Sequence, residues 1–149
     1  MLLLAAFTAP CGCLSVCATD SVPFKGRADG AIVASAPDPA GLLIRVLAEG
    51  EATHLGRFSR EEVVLLNPVN GSIAGTVVFV AANGDQLSGV LAGQFTSATT
   101  VAGTYTFTGG TGRFQNATGE ADFSLSTPDG VHFTVQFAGT LSSVGANQK

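Results

Sequence analysis

The 149-residue sequence contains few charged residues and no cluster of basic ones. Charged residues make up 12% of the chain and hydrophobic residues 46%. Disordered chains have the opposite balance, and long surface helices are usually rich in Glu and Lys. The seven Lys and Arg side chains are dispersed, and the net charge is −4. Because nucleic acids and anionic membrane surfaces bind clustered positive charge, the sequence argues against both partners.

Residues that commonly carry chemistry are also scarce. Tryptophan is absent, Tyr105 is the only tyrosine, and the three cysteines lie within the first 17 residues. No Gly-x-Ser-x-Gly motif and no His-x-x-His cluster occurs, and His54 and His132 lack the close spacing of zinc ligands. We therefore predict no metal and no cofactor.

The N-terminal residues resemble a secretory signal peptide. Residues 1–18 carry no charge, begin with an apolar run and end in Val16-Cys17-Ala18. Cleavage after Ala18 would leave a cysteine-free domain at 19–141 and a flexible tail at 142–149, secreted or periplasmic. A hydrophobic first strand and a lipidated cysteine are the alternatives. A transmembrane helix is disfavoured because the run is short and is interrupted by Pro10 and Gly12.

The remainder of the sequence predicts strands separated by turns rich in Gly, Asn, Asp and Pro. Short strands at regular spacing are typical of a barrel or a sandwich. Glycines inside the strands favour sharp bending and hence a closed barrel. We predict an all-β, eight-stranded antiparallel barrel with strands at Phe24–Ala34, Gly41–Glu49, Ala52–Leu66, Ser72–Ala82, Gln86–Phe95, Thr99–Thr108, Thr118–Ser126 and Val131–Leu141.

Alternation along the strands predicts which side chains face the interior. Val131, Phe133, Val135 and Phe137 share one face of the last strand, because successive side chains point to opposite sides. By the same rule Tyr105 and Phe107 lie on one face of the sixth strand. In the seventh strand Ala121, Phe123 and Leu125 are expected to face inward, and Glu120 and Asp122 outward. Large Phe side chains could fill a barrel of this size.

The most specific motif is Gly109-Gly-Thr-Gly-Arg-Phe114-Gln-Asn-Ala-Thr-Gly119. It resembles a loop of the allene oxide cyclase and dirigent protein superfamily, and the likeness is strongest over about 101–141. The resemblance implies a calycin-like eight-stranded barrel whose lumen binds an apolar small molecule and which assembles as a trimer. A phosphate-binding loop is disfavoured because a strand follows the motif, not a helix.

These observations lead to three functional hypotheses. The first is an exported barrel that binds a small apolar molecule in its lumen without turnover. The second is a cyclase or isomerase of the allene oxide cyclase kind, which a lumen-facing Glu or Arg would favour. The third is a structural envelope protein whose interior is fully packed. The candidate ligand-binding residues are Arg57, Glu62, Tyr105, Phe107, Phe133 and Phe137.

Overall fold

A computed structural model describes residues 21–142 of the chain. They form one closed barrel of antiparallel strands, in which each strand pairs with its neighbours in sequence and β1 pairs with β8. The strands are β1 (Val22–Asp38), β2 (Gly41–Ala52), β3 (Gly56–Asn67), β4 (Ser72–Ala81), β5 (Gln86–Phe95), β6 (Thr100–Gly110), β7 (Thr118–Ser126) and β8 (His132–Ser142). The predicted fold class is confirmed.

The largest differences from the predicted strand boundaries lie at the β2–β3 turn and at the end of β1. The turn between β2 and β3 lies at residues 53–55, not at Gly50, because Gly50 is a paired residue inside β2, opposite Ala28 and Phe58. His54 lies in that turn with φ +67°, outside the predicted third strand. β1 continues to Asp38, and Pro37 pairs with Leu42. Proline is tolerated there because the pairing of β1 with β8 already ends at Ala31, so β2 is the only partner described for this part of β1.

The two ends of the barrel differ in how they are closed. The loop between β6 and β7 contains a short 3₁₀ helix, Gly112–Phe114, and folds over one end. Phe114, Ala117 and Leu55 are buried at this end, which we name the closed end. Phe114 belongs to the Gly-rich motif at 109–119, and its side chain is fully buried.

The opposite end carries the turns β1–β2, β3–β4, β5–β6 and β7–β8, because the strands run alternately up and down. On six of the eight strands the last inward-facing side chain at this end is apolar and only partly buried, whereas Val101 on β6 and Phe133 on β8 are buried. The six partly buried side chains pack against the core and form a ring that we name the mouth: Ile32, Leu42, Leu66, Ile73, Phe95 and Leu125.

The interior between the two ends is lined mainly by aromatic side chains. Phe24, Phe79 and Phe107 contact one another with ring centroids 5.2–6.2 Å apart. Phe123 stacks on Tyr105 at 4.6 Å. Val131 was predicted to share this interior face, but it is 45% exposed because β8 begins only at His132. Among residues 21–142, no helix is long and apolar enough to cross a membrane.

Candidate ligand-binding site

Three polar side chains meet inside the otherwise apolar barrel. Arg60 and Glu62 face inward from β3, because they alternate with the exposed residues Ser59 and Val63. Tyr105 faces them from β6 and is 1% exposed. We name Arg60, Glu62 and Tyr105 the polar trio. It is the one set of buried ionisable groups within the described part of the interior.

Hydrogen bonds and charge connect the trio. Arg60 donates from Nη1 to the Tyr105 hydroxyl at 2.7 Å, and Tyr105 donates to Oε2 of Glu62 at 3.4 Å. Nη2 of Arg60 lies 3.0 Å from the same Oε2. This distance is that of an ion pair, although the two groups are not aligned as a hydrogen bond. Neither Nη2 nor Nε of Arg60 has an aligned hydrogen-bond acceptor among residues 21–142.

Aromatic rings surround the Arg60 guanidinium. Its Cζ atom lies 5.7–5.8 Å from the ring centroids of Phe79, Tyr105 and Phe133. Such contacts stabilise a desolvated cation through the electron-rich faces of the rings. The Arg60 side chain has no solvent exposure, and the carboxyl group adjacent to it is that of Glu62.

Burial changes the acid–base properties of the trio. Burial raises the pKa of the Glu62 carboxyl, and the opposing effects of the Arg60 charge and the Tyr105 hydrogen bond are smaller. Burial likewise raises the pKa of the Tyr105 hydroxyl, so this group remains protonated. The site therefore holds a fixed cation, a neutral hydroxyl and a carboxyl group that resists ionisation.

The trio lies on the side of the interior that leads to the mouth. Along β3 the inward positions run from Leu66 at the mouth through Val64 to Glu62 and then Arg60. Consistent with this order, the Glu62 side chain retains 9% exposure and that of Arg60 none. A ligand that enters through the mouth would meet Glu62 first.

Between the mouth and the trio, three adjacent strands supply inward-facing glycines. These are Gly75, Gly93 and Gly103, on β4, β5 and β6. The Phe123 ring occupies part of the space, since a Cβ atom at Gly103 would lie 2.6 Å from its Cζ. Phe123 therefore covers Tyr105 beside Gly93 and Gly103, two positions at which β5 and β6 supply no side chain.

The structure places five of the six candidate residues in the interior. Glu62, Tyr105, Phe107, Phe133 and Phe137 are all buried. Arg57 lies outside, at the β2–β3 turn, and is exposed. Its neighbour on the outer face of β3, Glu61, pairs instead with Arg45 at 2.7 Å.

Sequence reasoning missed Arg60, although the signal was present. The inward positions of β3 are Phe58, Arg60, Glu62 and Val64, which follow one another at period two. Arg57 is five residues from Glu62, an odd spacing that places it on the opposite face. Strict alternation from Glu62 would have selected Arg60.

The other polar candidates lie on the outer surface. Glu120 and Asp122 are exposed on β7, as predicted, and Asp122 accepts a hydrogen bond from Thr104 at 3.1 Å. His132 is exposed, and its Nδ1 lies 2.8 Å from Asp129 Oδ2. No group of three potential metal ligands occurs among the described residues.

Comparison with known proteins finds similarity in structure rather than in sequence. No family model matches the chain, and no curated protein matches its sequence. Among solved structures, the pterocarpan synthase dirigent protein GePTS1 is similar with a TM-score of 0.61 and 12% identity. The alignment covers 93% of this chain and 99% of the dirigent protein. The chain therefore has the same eight-stranded barrel fold as this dirigent protein.

Proposed function

We propose that this chain is an exported barrel protein that binds a small apolar molecule through the mouth, with the polar trio at the base of the site and without turnover. The mouth is apolar and partly exposed, so it presents a surface that such a molecule would cover. Arg57 is left out of the proposed site because it lies on the outer surface.

The observation that carries this proposal is the burial of the trio. Desolvating an arginine and a glutamate costs several kcal/mol per ion, and well-packed apolar residues often stabilise a core equally well. Perturbed ionisable groups in an apolar setting are common at functional sites. A buried trio in which Arg60 Nε has no hydrogen-bond acceptor among residues 21–142 is better explained by a ligand than by stability.

The second candidate is a cyclase or isomerase. It is favoured by the presence of both a glutamate and an arginine inside the barrel, the feature that distinguishes this hypothesis from simple binding. Burial raises the pKa of the Glu62 carboxyl group, which favours its role as a proton donor to a bound molecule. The similar dirigent protein is described as a synthase, which is in keeping with this candidate.

The third candidate is a structural barrel, and the density of aromatic contacts supports it. Phe79 alone lies within 6.2 Å, centroid to centroid, of five other aromatic rings. A ligand would therefore have to displace side chains, such as the Phe123 ring that lies beside Gly93 and Gly103. A homotrimer, implied by the family resemblance, is compatible with each candidate.

Ligand entry can be tested with a fluorescent reporter, because the chain has no tryptophan. Phe95→Trp places an indole at the mouth, and Ala82→Trp places one on the exposed residue next to the closed end. Titration with methyl decanoate, a neutral apolar probe, should change the emission of the first variant and not the second. Equal responses, or no response at saturation of the probe's solubility, would exclude binding at the mouth.

Turnover and export have separate tests. The compound recovered from the protein after incubation should be chemically unchanged; a cyclised or isomerised product would replace the binding hypothesis by the enzymatic one.

Export predicts that protein secreted by a bacterial host begins at Thr19. An intact mass that still includes residues 1–18 would contradict cleavage after Ala18.

A further inference from the structure

The distal part of β1 has a free hydrogen-bonding edge. The pairing of β1 with β8 ends at Ala31, and one further backbone bond joins Ile32 N to Val131 O. Beyond this point β1 continues to Asp38, and residues 33–37 make no backbone hydrogen bond to any element other than β2 among residues 21–142. Because successive residues of a strand direct their N–H and C=O groups to opposite sides, about half of these groups point away from β2.

The side chains along this edge are small or apolar. Residues 33–37, Val-Ala-Ser-Ala-Pro, are all exposed, and across the gap Val131 in the β7–β8 turn is exposed as well. Natural proteins usually protect a free edge with charged side chains, proline or a bulge. Here a register shift next to Val33 and the ring of Pro37 limit the edge at its two ends. Between them, residues 34–36 carry none of these protecting features.

The surroundings of the edge are acidic. Asp29 and Asp129 lie at the end nearer β8, on β1 and in the β7–β8 turn, and Asp38 lies at the far end. Arg45, on the neighbouring strand β2, is already paired with Glu61 at 2.7 Å. A partner that carries positive charge at both of its ends would therefore meet complementary charge at both ends of the edge.

We infer that this edge binds an extended peptide segment by strand addition, and that the segment has an apolar centre flanked by lysine or arginine. Main-chain hydrogen bonds to β1 would supply affinity, and contacts with Val33 and Val131 would select the apolar centre. The edge lies outside the barrel interior and does not involve the polar trio, so this inference is independent of the proposed function.

A second copy of the chain is a poorer occupant than a basic peptide. Antiparallel pairing of two such edges would bring Asp38 of each copy to the end of the other edge, where Asp29 and Asp129 lie. Like charges that face each other across paired strands are destabilising. Basic flanks on a peptide replace this repulsion by attraction.

The test uses the isotope-labelled mature chain and three peptides with blocked ends. We expect Lys-Val-Thr-Val-Thr-Val-Lys to shift the amide resonances of residues 33–38 and to slow amide hydrogen exchange at 34–36, because added backbone hydrogen bonds protect these N–H groups. Glu-Val-Thr-Val-Thr-Val-Glu should bind at least about tenfold more weakly, since its charges are reversed. Lys-Val-Pro-Val-Pro-Val-Lys should not bind, because proline lacks the donor that a strand requires.

Three results would overturn the inference. Equal affinity of the glutamate peptide would exclude recognition of basic flanks. Equal affinity of the proline peptide, or resonance shifts confined to residues outside 33–38 and the β7–β8 turn, would exclude strand addition. Protection of residues 34–36 that appears without peptide and grows with protein concentration would show that a second copy occupies the edge.

A charge variant and a matched control locate the contact. Asparagine at positions 29, 38 and 129 removes three charges and keeps the side-chain oxygens that accept hydrogen bonds from Thr134, Ala40 and Val131. This variant should bind the lysine peptide about tenfold more weakly than wild type. The control removes three exposed carboxylates elsewhere, by Glu51→Gln, Glu120→Gln and Asp122→Asn, and should bind like wild type. Equal weakening in both folded variants would show an effect of net charge alone and contradict binding at this edge.

Discussion

Glu62 is the residue whose burial has the clearest consequence for stability. Its carboxyl group is almost fully buried, and burial raises its pKa from the ordinary value of 4.5. A carboxyl group with a raised pKa in the folded state binds its proton more tightly there than in the unfolded chain. Its contribution to stability is therefore complete at pH values below 4.5 and is lost as the pH rises through the folded-state pKa.

This linkage predicts a difference in pH dependence between two glutamate variants. Relative to wild type, Glu62→Gln should lose the decline in unfolding free energy that occurs as the pH rises above 4.5. Glu120→Gln, on the exposed face of β7, should keep that decline. Urea denaturation across this pH range measures both. A wild-type pH dependence that survives in Glu62→Gln would mean that Glu62 is not the group responsible.

For single residues, the sequence predicts which side chains face the interior better than it predicts which side chains they contact. Period-two alternation correctly placed Tyr105, Phe107, Phe133 and Phe137 in the interior, because β8 and the middle of β6 alternate without interruption. It could not show that Tyr105 accepts a hydrogen bond from Arg60, because 45 residues separate the two in sequence and only barrel closure brings them together. Arg57 was chosen for its charge alone, without considering which face of the strand its position occupies.

Among the elements, the β6–β7 loop contacts the β4–β5 turn through one carboxylate, in addition to the hydrogen bonds between Thr111 and Gln86. Asp85, in the β4–β5 turn, accepts hydrogen bonds from the backbone N and from Nε of Arg113 at 3.3 and 3.1 Å. These bonds, the backbone one first, lower the pKa of Asp85. The Arg113 guanidinium lies 5.0 Å from the Phe114 ring, whose side chain fills the closed end.

Alanine substitutions at Gly112 and Gly84 provide a matched test of the contact between Asp85 and the β6–β7 loop. Both have positive φ, +56° and +94°, so alanine is strained at either position. A Cβ atom at Gly112 would in addition collide with the Asp85 carboxylate, whereas one at Gly84 would meet nothing within 4 Å. Gly112→Ala should therefore reduce the unfolding free energy by on the order of 1 kcal/mol more than Gly84→Ala. Chemical denaturation measures the difference, and equal losses would show that Asp85 does not hold the loop.

Element boundaries were predictable where the turn chemistry is unambiguous. The Asn83-Gly84 turn and the Gly-rich loop were located from sequence, because positive φ there requires glycine or asparagine. The β2–β3 turn was misplaced because Gly50 resembles a turn residue. Its role in the barrel is close approach: a Cβ atom there would lie 2.6 Å from Ala28 Cα on β1.

For the whole molecule, the fold class could be predicted because spacing, alternation and the loop motif agree. The functional state of the interior could not, since an eight-stranded barrel is just wide enough either for side chains or for one small ligand. Which of these applies depends on how Phe123 and its neighbours pack around the trio. Sequence patterns do not specify that packing.

Replacing the trio by apolar residues separates function from stability. The triple variant Arg60→Met, Glu62→Leu, Tyr105→Phe removes the buried charges while approximately keeping volume. We expect it to be at least as stable as wild type, with a gain of up to about 1–4 kcal/mol, because the desolvation cost disappears. Thermal and urea denaturation measure this. A loss of several kcal/mol would show that the trio contributes to stability and would favour the structural candidate.

The most direct test of the central claim is native mass spectrometry of the wild-type protein and the triple variant, secreted from the same host. We predict that the wild-type barrel carries an extra mass that is released on denaturation. The folded triple variant should carry none, because its site lacks the polar trio. A wild-type protein of bare mass, or the same bound mass on both proteins, would contradict a ligand site built on Arg60, Glu62 and Tyr105.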